Sequence, residues 1–138
     1  MKLAIVHEWL TALGGAERCL KVFSELWPEA PIFATVYNEE VFRDWFPPER
    51  VSTSFLQKWP RPLKWYRHYL PFMPGAVESH DLQGYDVVLS SSHCCAGGAI
   101  PDKGAVHVSY CYTPMRYVWD LKDIYVEHMR PLVKTAFL

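Results

Sequence analysis

The stretch "LAIVHEWLTALGGAERCL", residues 3–20, decides how this chain is read. Leu3, Ala4, Ile5 and Val6 run up to His7, two adjacent glycines follow at Gly14 and Gly15, and from Ala16 onward the apolar spacing changes. A short, partly β-branched run bounded by polar residues is what a strand buried on both faces of a parallel sheet requires. Beyond the glycines, Ala16, Cys19, Leu20, Phe23, Leu26 and Trp27 step by three and four. That spacing puts them on one face of a helix, which Pro28 stops.

A helix start presents unpaired N–H groups and a partial positive charge, so it suits an anion. Glycine lets the backbone approach closely and takes φ > 0 without penalty. One exposed contact of this kind contributes about 0.3–1 kcal/mol, enough to help hold a diphosphate and too little to bind one unaided. The other reading of Gly14-Gly15 is a tight strand-to-helix turn and nothing more. No Gly-Lys-Ser/Thr follows and the glycine spacing is not GxGxxG, so the stretch is neither a P-loop nor a dinucleotide fingerprint.

Working outward, "APIFATVY" (30–37), "VSTSF" (51–55), "YDVVLSSSH" (85–93) and "AVHVSYCYTP" (105–114) read as further strands. "EEVFRDWF" (39–46) reads as a short helix stopped by Pro47-Pro48, and residues 115–138 as helix interrupted at Pro131. Prolines crowd the middle of the chain, where irregular connections are expected. Strands alternating with helical segments predict one Rossmann-like domain over residues 1–138, a parallel sheet with helices on both faces. Ligands of such sheets bind beyond the carboxyl ends of the strands, which directs attention to residues 8–17, 90–98 and 111–120.

Composition narrows the function classes. The chain is 50% hydrophobic and 21% charged with a net charge of −1, which excludes a disordered or globally basic protein. "MKLAIVHEW" is too short an apolar run for a secretory leader, and no segment approaches the ~20 apolar residues of a membrane span. The expectation is a cytoplasmic protein whose four cysteines, Cys19, Cys94, Cys95 and Cys111, are thiols.

Residues 51–77 carry no Asp or Glu, but hold Lys58, Arg61, Lys64 and Arg67 among Phe55, Trp59, Trp65, Tyr66, Tyr69 and Phe72. Two readings stand side by side. Either aromatics enter a headgroup layer while cations meet anionic lipid, or the aromatics pack underneath and the cations point to solvent. Nucleic acid is set aside, because four cations in a neutral chain are too few. A zinc site at His93, Cys94, Cys95 and Cys111 is set aside too, since the spacing fits no ligand pattern. Arg116 and Asp120 read either as acceptor contacts or as an i,i+4 ion pair. His7, at a strand end, is expected to support the glycine loop, and Glu17 to complement the helix dipole. "SSSH" (90–93) on its own reads as a cap for a following helix.

Six blocks in order carry a resemblance: "HEWLTALGGAER" (7–18), "PIFATVY" (31–37), "TSFLQ" (53–57), "YLPFMPGAVE" (69–78), "YDVVLSSSH" (85–93) and "YCYTPMRYVWD" (110–120). Together they resemble the N-terminal half of glycosyltransferase family 4, retaining enzymes of GT-B fold. The resemblance implies one half of a GT-B fold, the acceptor-side domain, with Gly14 and Gly15 closing over the diphosphate and sugar of a nucleotide-sugar donor. It implies that His93 is catalytic and contacts the donor sugar, and it places Tyr112, Arg116 and Asp120 among the substrate-binding candidates. It implies no metal and no cofactor beyond the nucleotide sugar as co-substrate, and a glycan or lipid-linked acceptor. For a lipid-linked acceptor, Lys58, Trp59, Arg61, Lys64, Trp65 and Arg67 would form the acceptor or membrane face, at the inner surface of the membrane.

Two positions depart from the pattern of relatives: Gly97 stands where a basic residue is common, and Tyr112 where histidine is common. The family's donor-binding half, with its glutamate pair and Arg/Lys pair, has no counterpart in these 138 residues. The expectation is therefore that this chain does not transfer sugar alone and needs a C-terminal partner chain or self-association. The alternative is a non-catalytic GT-B half that binds a partner or a membrane.

Overall fold

The computed structural model describes residues 1–113, which form a five-stranded, all-parallel sheet with helices on both faces, a Rossmann-like α/β fold. The strands are β1 (Leu3–His7), β2 (Ile32–Ala34), β3 (Val51–Thr53), β4 (Val87–Ser92) and β5 (Val106–Cys111). Their spatial order is β3-β2-β1-β4-β5, so the winding direction reverses between β1 and β4. Ile5 pairs with Ile32 on one side and Leu89 on the other, and His7 with Ala34 and Ser91.

All five residues of β1 are buried, and their alternation builds two cores. Leu3 and Ile5 join Ile32, Ala34 and Leu89 beneath α1 (Gly15–Leu26) and α2 (Glu39–Phe42), with Leu20, Phe42 and Phe46 closing that side. Ala4 and Val6 face the other way, with Phe33, Val88, Val77, Leu82, Ala96 and Ala99. Continuous apolar runs are thus the direct consequence of covering both faces.

The helix after the glycines forms as expected, but of its expected face only Leu20 is fully buried, Leu26 is exposed, and the polar Glu17 and Ser24 are buried instead. Carbonyls at and beyond its C-terminal end are satisfied from afar: the Arg50 guanidinium donates to Ser24 O at 3.0 Å, to Trp27 O of the cap at 2.8 Å and to Ala30 O before β2 at 2.9 Å. Without such donors, the last carbonyls of a helix stay unpaired.

Several elements are shorter than their sequence patterns suggest. The run 30–37 is a strand only to Ala34, after which Leu10 and Tyr37 make a lone parallel bridge. The 51–55 run ends at Thr53 because Ser54 turns inward, its hydroxyl accepting from Leu56 N–H to cap a 3-10 turn over Phe55–Lys58. The 39–46 helix stops at Phe42, yet Phe46 remains fully buried. The proline-rich middle is a chain of short helical turns, including α3 (Pro62–Trp65) and α4 (Met73–Glu78), packed over Val36, Leu56, Met73 and Ala76. The expected helix over 115–138 lies outside the described residues.

Candidate functional site

The strand order reverses between β1 and β4, and in α/β sheets of this kind the crevice outside the carboxyl ends of the strands at such a point is where ligands bind. Both residues that end the strands, His7 and Ser92, are followed there by chemistry-bearing side chains: Glu8 after β1 and His93 after β4. The start of α1 stands on the same rim. Its first residues reach the crevice through Glu17, whose Oε1 lies 3.5 Å from His7 Nε2. The His7 and His93 rings are 6.3 Å apart, centroid to centroid.

Gly14 and His93 therefore belong to one side of the molecule, linked through Glu17 and His7. The reason for glycine at position 14 differs from the expectation of φ > 0. Gly14 is extended, with φ −142° and ψ −169°. Among the described residues, positive-φ glycines occur at Gly84 and Gly104. What position 14 excludes is a side chain: a β-carbon there would lie 2.7 Å from Glu17 Oε2. Gly15 is different again, because a β-carbon there meets nothing within 4 Å. Its bare backbone leaves the approach to the helix start open.

His7 is fully buried, with Nδ1 3.1 Å from both the carbonyl oxygen and the hydroxyl of Ser91. Ser91 Oγ is in turn 2.9 Å from the Tyr112 hydroxyl, which also donates to Ala16 O at 3.3 Å. Tyr112 thus ties the end of β5 to the first turn of α1, and burial pushes its phenol up to about 12. His7 does support the glycine-led helix. Glu17 does so as well, facing His7 across the crevice floor rather than solvent; burial raises its pKa, but the His7 contact outweighs this and holds it below the usual range.

The residue that sequence reasoning missed is Glu8. It is fully buried, and its Oε1 accepts from the Ser92 hydroxyl at 3.0 Å and from four successive backbone N–H groups: His93 at 3.1, Cys94 at 2.9, Cys95 at 3.1 and Ala96 at 3.0 Å. Burial acts to raise its pKa, but the contact with His93, the charges of His7 and His93 and the Ala96 N–H outweigh it, leaving it at about 2. The turn of backbone N–H groups after β4 is an anion cradle of the kind that binds phosphate elsewhere, and here the chain's own carboxylate fills it. The "SSSH" motif does organise a following turn, with Ser92 Oγ also accepting from Gly97 N–H at 3.1 Å.

His93 and Trp9 pack edge to face, ring centroids 5.0 Å apart and planes perpendicular, and Trp9 in turn packs on Tyr66 at 5.4 Å. Through Trp9 the basic-aromatic segment borders the crevice. Within that segment the structure divides the candidates. Trp59 is half-buried against Phe55, Tyr69 and Phe72, so it packs as much as it presents. Lys58, Arg61, Lys64, Trp65 and Arg67 are exposed, with Arg61 over the Trp65 ring at 5.3 Å.

Gly97 is confined, since a β-carbon there would lie 3.2 Å from Ser109 Oγ. Arg116 and Asp120 lie outside the described residues. Among the described residues, no group of three or more His, Cys, Asp or Glu side chains converges as a metal site would, and no helix is long and apolar enough to cross a membrane. The four cysteines are free; the contact with Cys94 and burial push the Cys95 thiol up. Comparison of the chain with models of known families, with curated proteins and with solved structures finds no match.

Proposed function

We propose that this chain is the acceptor-side half of a retaining GT-B glycosyltransferase that works with a nucleotide-sugar donor, and that it needs a donor-binding half for turnover. One observation supports this reading above the others: the glycine-led start of α1 and His93 stand on one rim, at the strand-order reversal of a parallel sheet. The bare backbone at Gly15 allows a phosphate close to the helix start. In this reading His93 contacts a sugar attached to that phosphate. Charge on a leaving diphosphate would be met here by the helix start, with the stronger basic groups supplied from the opposite wall.

Titration of nucleotide sugars of uridine and guanosine into the isotope-labelled chain, followed by NMR, tests the proposal. The expected result is weak binding, with the largest amide perturbations at Gly14, Gly15 and the turn after β4. Perturbations confined to other surfaces, or none at millimolar nucleotide sugar, would overturn it.

A second reading concerns the acceptor. The exposed side chains Phe55, Leu63, Trp65 and Phe72 share one segment with Lys58, Arg61, Lys64 and Arg67, with no carboxylate among residues 51–77. That combination favours an anionic membrane surface beside the crevice, and with it a lipid-linked acceptor.

A further inference from the structure

We propose that Glu8 is the positioning residue of the crevice: its carboxylate clamps the turn after β4 and holds the proton of His93 on Nδ1, so that Nε2 is the nitrogen left to exchange a proton with a ligand. The two halves of the carboxylate are used differently. Oε1 gathers the Ser92 hydroxyl and the N–H groups of residues 93–96, which fixes the backbone carrying the histidine. Oε2 lies 3.2 Å from His93 Nδ1. Among the described residues neither of these two atoms has a hydrogen-bond partner, and both are sealed from solvent. Each is therefore the other's polar neighbour, and a proton on Nδ1 would face the carboxylate.

A buried carboxylate beside one ring nitrogen stabilises the form with the proton on that nitrogen, and so selects the tautomer. A quarter of the His93 side chain is exposed while Nδ1 is not, so solvent and ligand reach the ring through its other atoms. Trp9 packs perpendicular to the ring, centroids 5.0 Å apart. Other titratable groups face the same ring, namely His7 across the crevice, Glu17 from α1 and Cys94 next in sequence. Burial acts to lower the His93 pKa, but the Glu8 contact and charge, then Cys94 and Glu17, outweigh it and raise it above the usual value.

The participation of His93 in sugar transfer rests on the function proposed above; its tautomer does not, and the test needs no ligand. Nitrogen-15 NMR of the full chain reads the protonation of each His93 nitrogen across a pH titration. In the unaltered protein, Nδ1 should stay protonated throughout while Nε2 titrates. Glu8→Gln, which keeps an oxygen acceptor for the turn, should shift the His93 midpoint downward, whereas Glu17→Gln should shift it less. An unprotonated Nδ1 in the neutral form of the unaltered protein would overturn the proposal even if Glu8→Gln fails to fold. So would a folded Glu8→Gln with an unmoved midpoint, or a larger shift from Glu17→Gln. Because nucleotide-sugar binding is measured separately, failure of the donor reading and failure of the clamp are distinguishable.

Discussion

Gly14 and Glu17 are in each other's way: a β-carbon on the first would stand 2.7 Å from Oε2 of the second. The carboxylate is the far end of a flexible side chain, but it is buried and faces His7 Nε2 at 3.5 Å, so it has little freedom to move aside.

Gly14→Ala should therefore destabilise the fold by about 1–3 kcal/mol, the usual range for forcing a methyl group into a packed site. Gly15→Ala, with open space around it, should be neutral or stabilising by about 0.5–1 kcal/mol. Urea unfolding of both variants checks this. Equal effects would mean that the two glycines serve the turn in the same way.

Removing the Glu8 side chain strands four N–H donors, the Ser92 hydroxyl and the buried Nδ1 of His93 at once. Glu8→Ala should cost about 3–5 kcal/mol, as when one partner of a buried pair is deleted. Glu8→Gln should cost less. The same carboxylate has a pH signature. Its pKa falls from 4.5 to about 2 on folding, so its contribution is complete above pH 4.5 and is lost as pH falls toward 2. That contribution is on the order of 3 kcal/mol. His93 has the opposite sign: its raised pKa adds stability below 6.5 that is lost as pH rises through its folded value. Chemical unfolding at stepped pH should show the acid limb missing in Glu8→Ala.

Why Glu8 escapes a sequence reading is instructive beside what did not. β1 and β4 are legible because burial on both faces leaves unbroken apolar runs ending in polar residues, and α1 because its apolar face keeps a helical step. The carboxyl-end rule for parallel strands points to residues 90–98, while the role given to His93 comes from the resemblance, since "SSSH" on its own reads as a cap. Glu8, though, acts on backbone N–H groups 85 to 88 residues away, and backbone donors leave no mark on residue identity. Gly14 carries a different ambiguity, since steric exclusion and positive φ select the same residue. β2 and β3 are cut short by contacts no local window contains, such as the Ser54 cap and the Leu10–Tyr37 bridge.

His80 gives a second acid-sensitive element, away from the crevice. It is buried against Phe33, rings 5.4 Å apart, and among the described residues its Nε2 has no hydrogen-bond partner. Burial holds its pKa down to about 4. A histidine depressed on folding contributes fully above its usual 6.5 and loses that contribution as pH falls toward 4. His80→Leu should flatten the stability profile between those values while leaving the Glu8 limb below 4.5 intact. An unchanged slope between pH 6.5 and 4 in the variant would show that His80 is not the group responsible.

The exposed cations between residues 58 and 67 separate a membrane face from ordinary surface. Trp65 is 38% exposed and Phe72 52%, on a segment whose other aromatics, Trp59, Tyr66 and Tyr69, are occupied in packing. At an anionic membrane each nearby cation contributes about 1 kcal/mol, falling off within a Debye length. The chain should therefore float with vesicles containing an anionic phospholipid, float less as salt rises, and stay behind with neutral vesicles. Among the described residues Lys58 and Lys64 make no ion pair, so Lys58→Glu with Lys64→Glu leaves the core untouched. The double reversal should weaken vesicle binding by about tenfold or more, on the same per-charge scale. Trp65→Ala should weaken it at every salt concentration, since insertion of a ring is not screened. Binding to neutral vesicles as strongly as to anionic ones would leave the cations without a part in it, and absence of binding to either would return the segment to plain surface.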